Sequence, residues 1–206
     1  MASNETSDRA AAEPEPIDPL RLFGDWFELA RENASSDPTE CALATVDANG
    51  RPSVRIVLVK SWDLRGFRFF TNYESRKGRD LAADPRAALC WRWAWRELQV
   101  RAEGEVERLP AGESDAYFES RPRGHQVGAW ASAQSRPIES AAALEAAVTA
   151  AEARFDGAEV PRPPHWGGFL LRPLALEFWR GRPNRLHERT AFRLRDGAWS
   201  SELLSP

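Results

Sequence analysis

The chain has 206 residues and a net charge of −3, with 42% of its residues hydrophobic and 29% charged. That is enough chain for one substantial core and an ordinary globular balance. No basic excess marks it as a nucleic-acid or membrane-surface protein, and no apolar run approaches the roughly 20 residues of a membrane span.

Residues 1–16, MASNETSDRAAAEPEP, lack the apolar segment of a secretory signal and read as a disordered tail ahead of a single domain over 17–206. IDPLRLFGDWFELARENA predicts a helix. Asp18 caps it, Pro19 suits its first turn, and Leu20, Phe23, Phe27 and Ala30 recur on one face. ECALATVDANGRPSVRIVLVKSWD gives two β-rich runs around a turn at Asn49-Gly50. FRFFTN is a third strand, and SRKGRDLAADP a short helix capped by Ser75 and closed before Pro85. RAALCWRW and ELQVRAEGEVERL are further strands, and AGESDAYFESRP is a helix stopped at Pro122. ESAAALEAAVTAAEARF is helical on alanine content. A proline-rich loop, GAEVPRPPHWGG, leads to GFLLRPLALEFWRG and TAFRLRDGAWSSELL, which finish the chain as strands with RDG as a turn at or near their junction. Six or seven antiparallel strands with helices between them predict an α+β fold, a small closed or half-closed barrel.

Cys41 and Cys90 lie in apolar strands and match no disulfide or metal spacing, and His125, His165 and His187 match no zinc pattern. No metal is expected, and the compartment expected is the cytoplasm. Nine tryptophans, three of them in CWRWAWRELQV, suit a large aromatic core or a dimer interface, and alternatively a platform for a planar ring.

The cations carry more information. Of 28 lysine and arginine residues only Lys60 and Lys77 are lysine. In the strand RIVLVK, Arg55, Val57 and Val59 share one face, while Ile56, Leu58 and Lys60 share the other. Two cations at opposite ends and faces suit solvated strand ends or, alternatively, an extended ligand with one anionic end. Arg76 and Lys77 open a helix whose free N–H groups make a ready phosphate seat, or alternatively are basic residues of the kind many surface helices carry without a ligand. Tyr117 and Arg121, four apart near a helix end, point the same way, as a ligand pair or as a tyrosine packed on an arginine stem.

Together RIVLVK, FFTNYESRKGRDLAADPRAAL, YFESRPRGHQVGAWASAQS, HWGGFLLRP, LEFWRG and RLHER resemble, in order and spacing, the pyridoxamine/pyridoxine 5′-phosphate oxidase family from Asp18 to Pro206. The resemblance implies a Greek-key FMN split barrel, homodimeric, with the flavin between subunits. It implies oxidation of the 4′ carbon of pyridoxine or pyridoxamine phosphate to the aldehyde, with O2 as acceptor and H2O2 as product. The implied FMN positions are Arg55, Ile56, Val57, Leu58, Val59, Lys60, Phe70, Thr71, Arg76, Lys77, Gln99, Gln134, Ser135, Trp179 and Arg189. The implied substrate positions are Lys60, Tyr117, Arg121 and His125 around the phosphate, with Arg185 and His187 over the ring as catalytic residues.

The chain departs from the family in three places. His125 stands where a serine is usual, the tail lacks the arm's tyrosine, and Leu203 replaces a terminal arginine. Those departures keep open a related FMN oxidase of the phenazine-biosynthesis type, acting on a non-phosphorylated polycyclic substrate. A non-catalytic flavin or pyridoxal-phosphate binding protein is the third alternative.

Overall fold

The computed structural model of the chain describes residues 17–206, so the tail expected over 1–16 lies outside the described residues. Eight strands form one antiparallel sheet: β1 (Glu40–Val46), β2 (Pro52–Asp63), β3 (Gly66–Asn72), β4 (Arg86–Trp93), β5 (Leu98–Arg108), β6 (Trp166–Arg180), β7 (Glu188–Arg195) and β8 (Ala198–Leu203). Their order is β3-β2-β1-β4-β5-β6-β7-β8, and β3 also pairs with β6. Six strands therefore close into a barrel, and β7 and β8 extend from it as a hairpin. The fold is the expected α+β split barrel. Its eighth strand arises because the last apolar run breaks at Asp196-Gly197, whose φ angles of 51° and 79° suit a tight two-residue hairpin turn.

Closure depends on β6. Trp166–Leu171 pair with β3, Phe169–Arg180 with β5, and Ala175–Arg180 with β7. A strand pressed on both edges leaves little room, and the glycines of HWGG meet that need. A Cβ at Gly167 would lie 2.1 Å from the Tyr73 hydroxyl, and one at Gly168 would lie 2.4 Å from Leu109.

Five helices accompany the sheet: α1 (Pro19–Arg31), α2 (Arg76–Ala83), α3 (Ala111–Glu119), α4 (Arg123–Ala131) and α5 (Ala141–Arg154). No helix among the described residues is long and apolar enough to cross a membrane. In α1 the Asp18 side chain accepts from the Leu20 N–H at 2.8 Å, and Leu20, Phe23, Phe27 and Ala30 are all buried, as their spacing required. Phe23 packs at 4.8–5.0 Å between ring centroids on Trp62, Phe67 and Trp91, so the helix joins the aromatic core inside the barrel. Trp91 and Trp93 are buried there and Trp95 packs against them, which makes the tryptophan cluster core.

A second, smaller core lies outside the barrel, where Phe118, Val127, Ala151, Phe155, Val160 and Trp166 join α3, α4 and α5 to the start of β6. Helix α4 has no counterpart in the sequence reading. Its two glycines weaken its local propensity, and tertiary contacts hold it instead. Val127 is buried, the Gln126 amide donates to the Phe118 carbonyl at 3.0 Å, and Trp130 Nε1 donates to the Pro161 carbonyl at 2.8 Å.

Phe23→Ala removes a ring with no solvent exposure from the larger core, and should lower unfolding free energy by about 3–5 kcal/mol in urea titrations. An exposed control, Leu64→Ala, should move the midpoint by no more than about 0.5 kcal/mol.

Candidate active site

Strands β2 and β3 with α2, α3 and α4 wall a cavity of about 510 Å³. From the sequence-predicted set it takes Ile56, Val57, Leu58, Lys60, Phe70, Thr71, Lys77, Tyr117, Arg121, His125 and Gln134. Asn72, Ser120, Pro122 and Trp166 complete its lining. Two lysines, an arginine and a histidine face it, and among the described residues no aspartate or glutamate does. In a chain with more acidic than basic residues, a cavity without a carboxylate is selective for anions.

One cationic end is built at the start of α2. Ser75 caps the helix, its side chain accepting from the Gly78 N–H at 3.3 Å, and no acidic residue occupies the first turn. Lys77 is buried, and its ammonium donates only to hydroxyls, Thr71 Oγ1 at 3.1 Å and Ser75 Oγ at 3.3 Å. Thr71 in turn donates to Gln134 Oε1 at 3.2 Å. Burial, aided by the nearby Arg55 charge, pulls the Lys77 pKa down to about 8. A buried ammonium held by neutral oxygens alone is a seat for an anion.

Arg55 stands behind this seat. Its guanidinium donates to the Leu43 carbonyl at 3.1 Å, to Thr45 Oγ1 at 2.7 Å and to Ser53 Oγ at 2.7 Å, and pairs with Asp80 at 3.5 Å. Those contacts turn it away from the cavity wall. Asp80, a buried carboxylate on α2 that also accepts from Thr45 at 2.7 Å, is a residue sequence reasoning missed. Its only signal was an acidic residue placed one helical turn after Lys77.

The other cationic end gathers Lys60, Tyr117, Arg121 and His125. Lys60 sits where the β2–β3 register slips between Val59 and Ser61, and it keeps to the outward face that it shares with Ile56 and Leu58. Its ammonium lies 3.4 Å from Thr39 Oγ1 and 3.8 Å from Asp37. The rings of Phe70 and Tyr117 stack at 3.8 Å, and Trp166 lies parallel beyond, 6° from the Tyr117 plane. Arg121 rests over Trp166 at 4.5 Å, and its Nη1 is buried with no hydrogen-bond partner among the described residues. Burial lifts the Tyr117 phenol above its ordinary pKa against the pull of Arg121, so it remains a protonated donor. An orphaned guanidinium N–H beside a phenol O–H is a second anion seat.

The remaining predicted residues do not line the cavity. Val59 is in the barrel core; Arg76 and Ser135 are exposed beside it in sequence, Ser135 with φ of 66°. Gln99, Trp179 and Arg189 are register neighbours across β5, β6 and β7. Glu177 accepts from Arg189 Nε at 2.8 Å and from Arg101; burial disfavours its charge, but these bonds outweigh that and hold its pKa low. His187 packs on Trp179 at 4.5 Å between ring centroids, and the Arg182 N–H meets its Nδ1 at 3.2 Å, which places the proton of the neutral ring on Nε2. Arg185 is exposed in a 3₁₀ turn, where it and Asn184 both have positive φ, a strained pair of the kind found at functional sites. The predicted residues thus form two clusters in one chain, one in the cavity and one at the far end of β6.

Residues 30–155 match the family described as Pyridoxamine 5'-phosphate oxidase, and residues 166–206 match the Pyridoxine 5'-phosphate oxidase C-terminal dimerisation region. The pyridoxine/pyridoxamine 5'-phosphate oxidase of Anaeromyxobacter dehalogenans is 58% identical, over 92% of this chain and 96% of that protein. The chain belongs to the pyridoxine/pyridoxamine 5'-phosphate oxidase family. It is an oxidoreductase. The Cupriavidus necator member is 56% identical over 92% of this chain and 89% of its own length. Among solved structures, PhzG from Burkholderia lata in complex with tetrahydrophenazine-1-carboxylic acid superposes with a TM-score of 0.88 at 31% identity, covering 93% of this chain and 94% of that one.

Lys77 disfavours the folded chain at every pH below about 8, and the penalty fades as pH rises toward the ordinary lysine value of 10.5. In anion-free buffer, Lys77→Met should therefore stabilise the chain at neutral pH by on the order of 1 kcal/mol and flatten the rise in stability above pH 8. Urea midpoints across that range measure both effects.

Proposed function

We propose that the chain is an FMN-dependent oxidase converting pyridoxamine 5′-phosphate or pyridoxine 5′-phosphate to pyridoxal 5′-phosphate, with O2 as acceptor and H2O2 as product. The observation that carries this reading is a carboxylate-free, aromatic-walled cavity with a cationic seat at each end. Two phosphate-bearing ligands, a cofactor and a substrate, need that arrangement; a single anion does not.

In this reading Lys77, with Thr71, Gln134, Ser135 and Arg76, holds the FMN phosphate, and Arg55 braces the seat from behind. Phe70 and the β2 segment Ile56–Leu58 flank the rest of the cofactor, and Val59 packs into the barrel core behind them. Tyr117, Arg121, Lys60 and His125 receive the substrate phosphate. A bound flavin would supply the two-electron acceptor. The residues present suit that group, because a buried ammonium held only by hydroxyls and an orphaned guanidinium N–H both call for anions.

The second cluster argues for a homodimer. Gln99, Trp179, Arg185, His187 and Arg189 lie off the cavity, and a twofold-related copy would supply them to it. The match of residues 166–206 to a dimerisation region supports this. Arg185 and His187 then orient the substrate ring, and the Nε2–H of His187 is free to donate to it. Positioning supplies much of the acceleration.

A second reading is an oxidase for a polycyclic carboxylic acid, supported by the similarity to the phenazine-pathway structure. The curated relatives at 56–58% identity favour the vitamin phosphate. Purified protein should carry a yellow flavin spectrum and release peroxide in air with pyridoxamine or pyridoxine phosphate, and not with a dihydro- or tetrahydrophenazine carboxylic acid. The reverse pattern would select the second reading, and no bleaching by any of them would remove both. Arg121→Met should raise KM for the phosphorylated substrate by about 10- to 100-fold while leaving FMN content unchanged.

A further inference from the structure

Two groups on the cavity wall can change charge near neutral pH. One is Lys77 at the α2 end, which burial pulls down to about 8, and the other is the imidazole of His125. His125 lies in the first turn of α4, its backbone N–H donating to the Pro122 carbonyl at 2.8 Å. Its exposed side chain lines both the main cavity and an adjoining one of about 290 Å³. The charged and titratable groups on the same walls are Tyr117 and Arg121 from α3, Lys60 from β2 and Lys77 from α2. Among the described residues no carboxylate lines either cavity. Asp115, Glu119 and Arg123 line a separate groove. His165, the other histidine against α4, meets the Ala129 carbonyl at 3.0 Å and lines neither cavity. The first turn of α4 holds no acid and has no side-chain cap, so the helix dipole adds to the positive field of Arg121 and Lys60. A proton on the His125 ring therefore gains a partner only when an anion enters.

We propose that His125 makes the substrate seat proton-linked: its ring takes up a proton as a phosphate ester binds, so preference for phosphorylated ligands depends on pH. This rests on the oxidase reading above, which puts the substrate phosphate beside Tyr117 and Arg121. An ester phosphate loses its second proton near about pH 6 and presents three acceptor oxygens at neutral pH. The Arg121 guanidinium and the Tyr117 phenol each supply a donor, and the third oxygen is left for His125. A protonated imidazole gives that oxygen a charge-assisted bond, and a neutral one a weaker bond. The proton comes from solvent, and no bond in the ligand is broken. Because the ring is charged in the complex and neutral in the free site, binding weakens as pH rises from about 6.5 to 8.5. Below about pH 6 the phosphate itself becomes protonated and the gain fades. Arg121 stays charged throughout and cannot produce this dependence.

The test uses the full-length protein with FMN added, titrated with 4-deoxypyridoxine 5′-phosphate, whose 4-methyl group carries no hydroxyl or amine to oxidise. Calorimetry at about pH 7.5 in buffers of different ionisation enthalpy counts the protons taken up per ligand bound. The wild-type chain should take up roughly half a proton more than His125→Asn, which keeps an N–H donor and does not titrate. Between about pH 6.5 and 8.5 its affinity should fall roughly three- to tenfold further than that of His125→Asn. His125→Arg should hold the tighter affinity across the range with no extra uptake. Lys77 is present in all three proteins, so its own titration cancels in the comparison. With 4-deoxypyridoxine, which has no phosphate, wild type and His125→Asn should agree. Equal uptake and parallel pH profiles for the phosphate in those two proteins would overturn the proposal, as would the same difference with the unphosphorylated analogue. Peroxide release from pyridoxine phosphate is assayed in parallel. Turnover with equal uptake refutes the proton linkage and spares the oxidase reading; uptake that depends on His125, without turnover, does the reverse.

Discussion

Strand β6 is the constraint on which the rest of this molecule depends. It gives one stretch to β3, which closes the barrel, and another to β7, which carries the C-terminal hairpin, while β5 runs beside nearly all of it. From Trp166 to Trp179 the strand covers about 43 Å at roughly 3.3 Å per residue. Trp166 lines the cavity and Trp179 packs against His187 at the other end. An extended strand cannot fold back on itself, so the two clusters of site residues do not meet within one chain. Under the proposed function, a second copy must therefore bring one cluster to the other.

The cavity shows how a net acidic chain makes an anion site. Carboxylates are kept off its lining, and the one buried acid nearby, Asp80, is spent on Arg55 and Thr45. Lys77 is left with hydroxyls, and Arg121 with an aromatic face and one unused N–H. Each cation has been desolvated and given no counter-charge. Such groups cost stability in the unliganded chain and return it when an anion arrives. The aromatic stack of Phe70, Tyr117 and Trp166 supplies the low-dielectric wall that makes those charges effective.

The two ends of the cavity are built differently, in keeping with different ligands. The α2 end is rigid: a capped helix, a buried lysine and a hydroxyl relay through Thr71 to Gln134. The α3–α4 end is more open, with His125 exposed and Lys60 raised on a bulge. A tightly held cofactor suits the first, and an exchanging substrate suits the second. Of the departures from the family pattern, His125 falls on the second end.

The sequence alone determined most of the local structure. Apolar spacing set the buried face of α1, Ser75 the start of α2, and Asn-Gly and Asp-Gly the hairpin turns, because backbone preference and side-chain period act over a few residues. The motifs likewise marked most of the cavity lining and the family. Tertiary structure decided what depends on distant segments. It made α4 a helix through contacts with Phe118 and Pro161, and it turned Arg55 toward Asp80 and away from the cavity. It also bulged β2 at Lys60, brought Trp166 under Arg121, and divided the predicted residues between the two ends of β6. None of these follows from local rules, because each is fixed by which strand lies beside which, and strand pairing is a property of the closed barrel as a whole.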